Sequence, residues 1–210
     1  MTTLESVLDG VREARQTELS RLGSSRGLYA DTAGDIDTEP VLRAAARAEY
    51  AAWQTFDAWA TAESDEDLSE FFATVADDER GHYETVLDHL PDEVEPTDVP
   101  SLHSYLRTLE TTPERIGGFA GRVVASRRSK DQVVGYFVGQ ADPQTAATFR
   151  TFGADLDEQR AALATHFERV CTEDEDFERV RVAAVRAIDA AYEEYVVSLE
   201  ALGVNPKPVC

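Results

Sequence analysis

The stretch DDERGHYE, residues 77–84, interrupts the apolar face of a predicted helix. On both sides of it, apolar residues recur at steps of three and four positions, which is the spacing of one face of an α-helix. They are Leu68, Phe72, Val75, Val86 and Leu90. The same steps continued through the stretch reach Glu79 and His82. A carboxylate and an imidazole therefore take positions that the helix should bury, where polar groups need partners.

The preceding predicted helix begins near Thr38 and carries Glu49 at an equivalent position, within its apolar stripe. Two interpretations of Glu49 stay open: a metal ligand, or a carboxylate that pairs with an arginine across the fold or lies at the edge of the stripe. A Glu-x-x-His pair on the inner face of a helix is the ligand pair of di-iron bundle proteins. Glu49, Glu79 and His82 are therefore the candidate metal ligands.

The remaining pattern predicts an all-α protein, because no segment shows the alternation of a half-buried strand. Residues 1–37 are expected to form an N-terminal helical extension, with a helix over about 4–22, and residues 172–210 a C-terminal helix and tail. Between them, residues 38–171 are expected to form a four-helix bundle. Its long polar connection at about 91–111 is the kind that carries a chain from one end of a bundle to the other before a parallel helix.

A weak internal repeat supports this arrangement. A shift of 77 residues places the apolar stripe of the Glu79 helix on that of the helix after Asp142. This shift aligns the positions of Glu79 and His82 with Leu156 and Gln159. A shift of 78 would align them with Asp157 and Arg160 instead. Burial of the stripe favours the shift of 77. Neither alignment restores a second Glu-x-x-His pair.

With these features, the chain resembles the rubrerythrin branch of the ferritin-like superfamily over roughly residues 38–171. The resemblance implies a ferritin-like four-helix bundle with one long crossover and extra N- and C-terminal helices. It also implies iron held by Glu49, Glu79 and His82, with activity in peroxide or iron handling. Because the second-half ligands are missing, we expect at most one tightly bound ion per chain. A homodimer, or carboxylates such as Glu84 and Asp157, would be needed to complete a two-metal site.

Many rubrerythrins carry a rubredoxin module with paired CxxC motifs, and Cys171 and Cys210 form no such motif. A redox-active protein would therefore need a separate electron-donor protein. The alternative hypothesis is a metal-free bundle that serves as a structural or protein-interaction module, with Arg127 or Arg128 paired with Glu49 or Glu79. A hydrolase or transferase is disfavoured, since no phosphate loop or nucleophile elbow is found. The remaining histidines, at positions 89, 103 and 166, are expected to be structural or solvent-facing.

The composition excludes several partners. The formal net charge is −21, and Lys130 and Lys207 are the only lysines. Such a surface disfavours nucleic acid and anionic membranes. We interpret it as adaptation to molar salt, where charges are screened over about 3 Å, with a merely acidic mesophilic protein as the alternative. The lack of a signal-peptide or membrane-spanning pattern predicts a cytoplasmic protein.

Overall fold

The computed structural model describes residues 2–92 and 96–206, and these residues form nine helices and no strand. The all-α prediction is therefore confirmed for this part of the chain. Lys207 and Cys210 lie outside the described residues, as do positions 93–95 of the predicted crossover. The helices are α1 (Leu4–Ala14), α2 (Gln16–Leu22), α3 (Ser25–Asp31), α4 (Thr38–Ala62), α5 (Glu66–Leu87), α6 (Ser101–Leu106), α7 (Thr112–Gly139), α8 (Pro143–Val170) and α9 (Asp174–Ala201).

Short polar side chains begin the long helices. The side chain of Asp65 accepts a hydrogen bond from the amide of Leu68 at the start of α5, and Thr111 forms a capping box with Glu114 at the start of α7. These contacts satisfy amide groups that have no partner within the helix. The single helix predicted over 4–22 is instead two helices. They meet at Arg15, whose backbone leaves the helical region (φ −123°, ψ 28°) and whose guanidinium binds Asp189 on α9.

Two helical hairpins face each other. α4 packs closely against α5, α7 packs closely against α8, and the two hairpins meet chiefly through side chains. Phe72 contacts Phe119, and Glu79 binds Arg122 further along both chains, so α5 and α7 run in the same direction. The connection between α5 and α7, which contains α6, therefore returns the chain to the end of the bundle where α5 began.

The terminal helices pack on the outside of the α7–α8 hairpin. α9 lies along α7, where Gly117 faces the backbone of Val180 and Gly121 faces that of Ala184. A Cβ atom at either glycine would overlap the opposing carbonyl, so these glycines permit the close approach of the two helices. The short helices α1, α2 and α3 contact α9 in turn.

The buried apolar side chains form two clusters, one around Phe56, Phe72 and Phe119 and the other around Phe137 and Phe149. Buried polar residues lie between the two clusters. Arg122 covers the ring of Phe56 in the first cluster, and His82 stacks on Phe152 in the second cluster. We call these residues the polar layer. It comprises Glu49, Glu79, His82, Arg122, Lys130 and Gln159. Among the described residues, no helix combines the length and hydropathy needed to cross a bilayer.

Candidate metal centre

The three predicted ligands meet in the polar layer. Glu49 from α4 is 2% exposed, and Glu79 and His82 from α5 are 0% and 8% exposed. One potential ligand atom from each residue lies within 4.8 Å of the other two. The three side chains that the apolar periodicity predicted to be buried therefore converge in the interior.

The converging atoms have no hydrogen-bond partner among the described residues. They are Glu49 Oε2, Glu79 Oε2 and His82 Nδ1. Nδ1 lies 3.6 Å from Glu79 Oε2 and 3.7 Å from Glu49 Oε2, which is outside hydrogen-bonding distance. Buried acceptors without partners are costly, so a positive charge at this point, carried by a proton on Nδ1 or by a metal ion, is favourable.

The second nitrogen of His82 defines the tautomer. Nε2 lies 2.9 Å from Oδ2 of Asp155 on α8, and the imidazole stacks on Phe152 with ring centroids 4.0 Å apart. An ionised carboxylate only accepts, so Nε2 carries the hydrogen of the neutral ring and the lone pair is on Nδ1. This arrangement, with one nitrogen bound to a carboxylate and the other facing potential ligands, is usual for metal-binding histidines.

The other oxygens of the two glutamates are bound by side chains from α7. Lys130 Nζ lies 2.6 Å from Glu49 Oε1, and Arg122 Nη2 lies 2.8 Å from Glu79 Oε1. Gln159 on α8 bridges Arg122 and Glu79, with both contacts at 3.3 Å. Each glutamate therefore has one oxygen paired with a protein cation and one oxygen at the shared point.

The neighbouring charges shift the pKa values of Glu79 and His82. Burial by itself raises the pKa of Glu79, but Arg122 and then His82 outweigh it and hold the pKa well below its usual range. Burial by itself lowers the pKa of His82, but the two carboxylates nearby, Glu49 and then Glu79, outweigh it and raise the pKa to about 10. In the absence of a metal ion, a proton on Nδ1 would therefore supply the positive charge at this point.

The cations at the site differ from those that the sequence suggested, so the assignment of Arg127 or Arg128 was wrong. Arg127 is half-buried and pairs with Asp131, and Arg128 is exposed. Arg122 and Lys130 were missed, as was Asp155. A signal for both cations was present, because steps of three and four from Phe119 through Val133 pass through positions 122, 126 and 130.

The second half of the bundle supplies no further ligand to this point. Leu156 and Gln159 are buried, as the shift of 77 predicts, whereas Asp157 is exposed. Glu84 is exposed too and pairs with Arg80. Neither Glu84 nor Asp157 can therefore complete the site within this chain, contrary to the expectation that they could.

The remaining histidines have other surroundings. His89 is exposed, whereas His103 is buried and hydrogen-bonds Thr55. Burial and then the charge of Arg122 lower the pKa of His103 to about 3, so it is neutral. His166 is half-buried against Phe71. The prediction that they are structural or solvent-facing agrees with these positions.

Cys171 is buried, and burial raises the pKa of its thiol to about 12. Such a thiol is unreactive.

No family model matches the chain, and neither a curated protein nor a solved structure is significantly similar to it. The resemblance to rubrerythrins therefore rests on residues of the chain itself and stays a prediction.

Proposed function

We propose that this protein binds a single divalent metal ion through Glu49 Oε2, Glu79 Oε2 and His82 Nδ1. One observation carries the proposal: three buried ligand atoms without hydrogen-bond partners converge on one point, with the histidine oriented by Asp155. A structural polar cluster would be expected to pair such atoms with one another or with neighbours.

The donor set fits a hard or borderline divalent ion such as iron, manganese or zinc. Bonds of roughly 2.0–2.2 Å place neighbouring ligand atoms about 3.0–3.5 Å apart in tetrahedral or octahedral coordination. The separations of 3.6 and 3.7 Å at His82 Nδ1 require a contraction of a few tenths of an ångström, and the two glutamate oxygens, within 4.8 Å of each other, would also have to approach. A bound ion with open positions would supply Lewis acidity or, if it is iron, one-electron redox chemistry.

The positions of Lys130 and Arg122 favour one ion over two. Their charged groups bind Glu49 Oε1 and Glu79 Oε1, the oxygens that would otherwise face a second metal. In addition, Leu156 has no ligand atom, and Gln159 is engaged with Arg122 and Glu79. We therefore expect weak or absent peroxide turnover, since two-metal chemistry requires ligands on both ions.

A rubrerythrin-like member of the ferritin-like superfamily is the family context that we propose for this site. Support comes from the parallel course of α5 and α7 across the long connection, and from a glutamate on α4 next to a Glu-x-x-His pair on α5. A homodimer and a separate electron donor remain predictions of that resemblance.

The second candidate function is a metal-free structural or interaction module, and charge balance favours it. With His82 protonated, Lys130, Arg122 and His82 balance Glu49, Glu79 and Asp155. A metal ion must displace the proton on His82 and bind beside two fixed cations, which weakens its binding. The two candidates therefore differ in one measurable quantity, the amount of metal held at His82.

Metal analysis decides between them. Protein stripped with a chelator is incubated with ferrous iron without oxygen, or with manganese, and desalted before the metal is measured. We expect up to one ion per chain, near zero in His82→Ala, and about 10–100-fold weaker binding in Asp155→Asn. His89→Ala, an exposed histidine at the end of the same helix, controls for weak binding to the acidic surface.

Equal metal content in His82→Ala and His89→Ala would place the ion elsewhere. No retained metal in any variant would support the metal-free candidate. In that case His82→Ala would only lower stability, by roughly 1–3 kcal/mol, because of a lost buried hydrogen bond and a small cavity.

A further inference from the structure

A cavity of about 140 Å³ opens between α4 and α7, next to the polar layer. Its α4 wall includes four small apolar side chains, Val41, Ala44, Ala45 and Ala48, and also carries the charged residues Arg47 and Glu49. Its α7 wall is polar and contains Ser126, Ser129 and Lys130. Ala48 is exposed, whereas Lys130 and Arg122 are buried, so the cavity leads from the surface to the two cations.

The α7 wall has more hydrogen-bond donors than the protein uses. Lys130 has three N–H groups and donates one hydrogen bond, to Glu49. Arg122, which is 2% exposed, has no partner for Nε. The hydroxyl groups of Ser126 and Ser129 make no hydrogen bond to another described residue. The inner end of the cavity can therefore bind an acceptor group.

The lining also contains three acids, Asp31, Glu49 and Glu194. Glu49 Oε1 binds Lys130, and Glu194 accepts from Arg47 and from the amide of Ser101. Asp31 is exposed as a whole residue, but burial of its carboxyl group and then the charge of Glu194 raise its pKa to about 7, so it is partly protonated at neutral pH. Lys130 and Arg122 are paired with Glu49 and Glu79, but Lys130 and the two serines keep unused donors, so an acceptor group is favoured at the buried end over a cation.

We propose that this cavity binds a small monocarboxylate with an apolar body of about the size of a benzene ring. The volume is comparable to the roughly 150 Å³ cavity that admits benzene in an engineered protein interior. The apolar body packs against the alanines of α4, and the carboxylate accepts hydrogen bonds from Lys130, Ser126 and Ser129. Of the three proposed metal ligands, Glu49 lines the cavity, whereas Glu79 and His82 do not. The carboxylate site uses none of the three as a donor, so it does not require a metal ion.

The first test compares three ligands with the same ring on chelator-treated protein: benzoate, benzyl alcohol and benzylamine. Isothermal titration in about 1 M potassium chloride screens the net charge of the surface, since the Debye length is then about 3 Å. We expect benzoate to bind about tenfold or more tightly than benzyl alcohol, the effect of one charge-assisted hydrogen bond, and benzylamine to bind least. Because no metal is added, the outcome is separate from that of the metal proposal.

Variants then locate the binding site. Ala48→Phe should fill the mouth and weaken benzoate binding about tenfold or more, whereas Ala58→Phe, at an exposed position of the same helix outside the lining, should not change it. Replacing both Ser126 and Ser129 by alanine should reduce the preference for benzoate over benzyl alcohol and leaves the ion pairs of the polar layer intact. Absence of benzoate binding, equal binding in Ala48→Phe, or tighter binding of benzylamine would overturn the proposal.

Discussion

Replacement of Lys130 by methionine separates the two roles of Glu49, as an ion-pair partner and as a metal ligand. Methionine keeps an unbranched side chain of similar length but removes the charged group 2.6 Å from Glu49 Oε1. Glu49 is 2% exposed, so the variant leaves a buried carboxylate without its partner. Breaking a buried pair in this way costs roughly 3–5 kcal/mol. For a chain of this length, that corresponds to a Tm lower by about 6–20 °C.

Divalent metal should reverse much of this loss. Without Lys130, both oxygens of Glu49 are available to the ion and one opposing charge is removed, so the affinity rises. An ion at about 100 times its Kd adds about 2.7 kcal/mol of stability. At about 2–4 °C per kcal/mol, the Tm of the variant should rise by about 5–11 °C. The same metal concentration should raise the Tm of the unmodified protein by less.

Differential scanning calorimetry with and without manganese measures both effects. Arg43→Met is the control, because Arg43 pairs with Glu39 at the surface and its loss should cost about 1 kcal/mol or less. A Tm that metal raises equally in Lys130→Met and in the unmodified protein would refute Glu49 as a ligand. An undiminished Tm of Lys130→Met without metal would refute the buried ion pair.

Three further predictions concern the fold and the surface. Burial raises the pKa of Glu63, but hydrogen bonds from the amide of residue 65 and then from Thr112 and Arg115 outweigh it and hold the pKa below the ordinary value of 4.5. This stabilisation is therefore complete above about pH 4.5 and is lost as the pH falls below it, so urea unfolding of Glu63→Gln should show a weaker loss of stability in acid. Gly121→Ala should destabilise the protein by about 1–3 kcal/mol, because the added methyl overlaps the backbone of α9, whereas Gly135→Ala, with no atom within 4 Å of the new Cβ, should be neutral or slightly stabilising. Finally, Tm should rise steadily from dilute buffer to molar potassium chloride, and a flat or falling curve would contradict the interpretation of the acidic surface as an adaptation to salt.

Much of the local structure could be predicted from the sequence because it depends on neighbouring residues. The steps of three and four in the apolar residues locate the buried face of each helix, and they place Glu79 and His82 on that face. The same periodicity favoured Leu156 and Gln159 over Asp157 as inward residues of α8, which their burial bears out. The start of α8 was predicted correctly, because a capping residue marks it: the side chain of Asp142 caps this helix.

The composition of the site was decided by the tertiary structure. Periodicity states which face of a helix is buried but not which residue of another helix lies opposite, because that depends on how the helices shift and rotate against each other. The expected Arg127 and Arg128 lie off the apolar stripe of α7, whereas Arg122 and Lys130 lie on it, and only the packing shows that these two bind the two glutamates. The long side chains of arginine and lysine also allow several positions to reach the same carboxylate.

The sequence by itself determined that two glutamates and a histidine are buried on adjacent helices. Only the packing of α7 and α8 against them determined the surrounding charges: Lys130 and Arg122 hold one oxygen of each glutamate, and Asp155 orients His82. The reason is physical, since burial follows from the period of a single helix, whereas the pairing of charges requires side chains from four helices to meet at distances of a few ångströms.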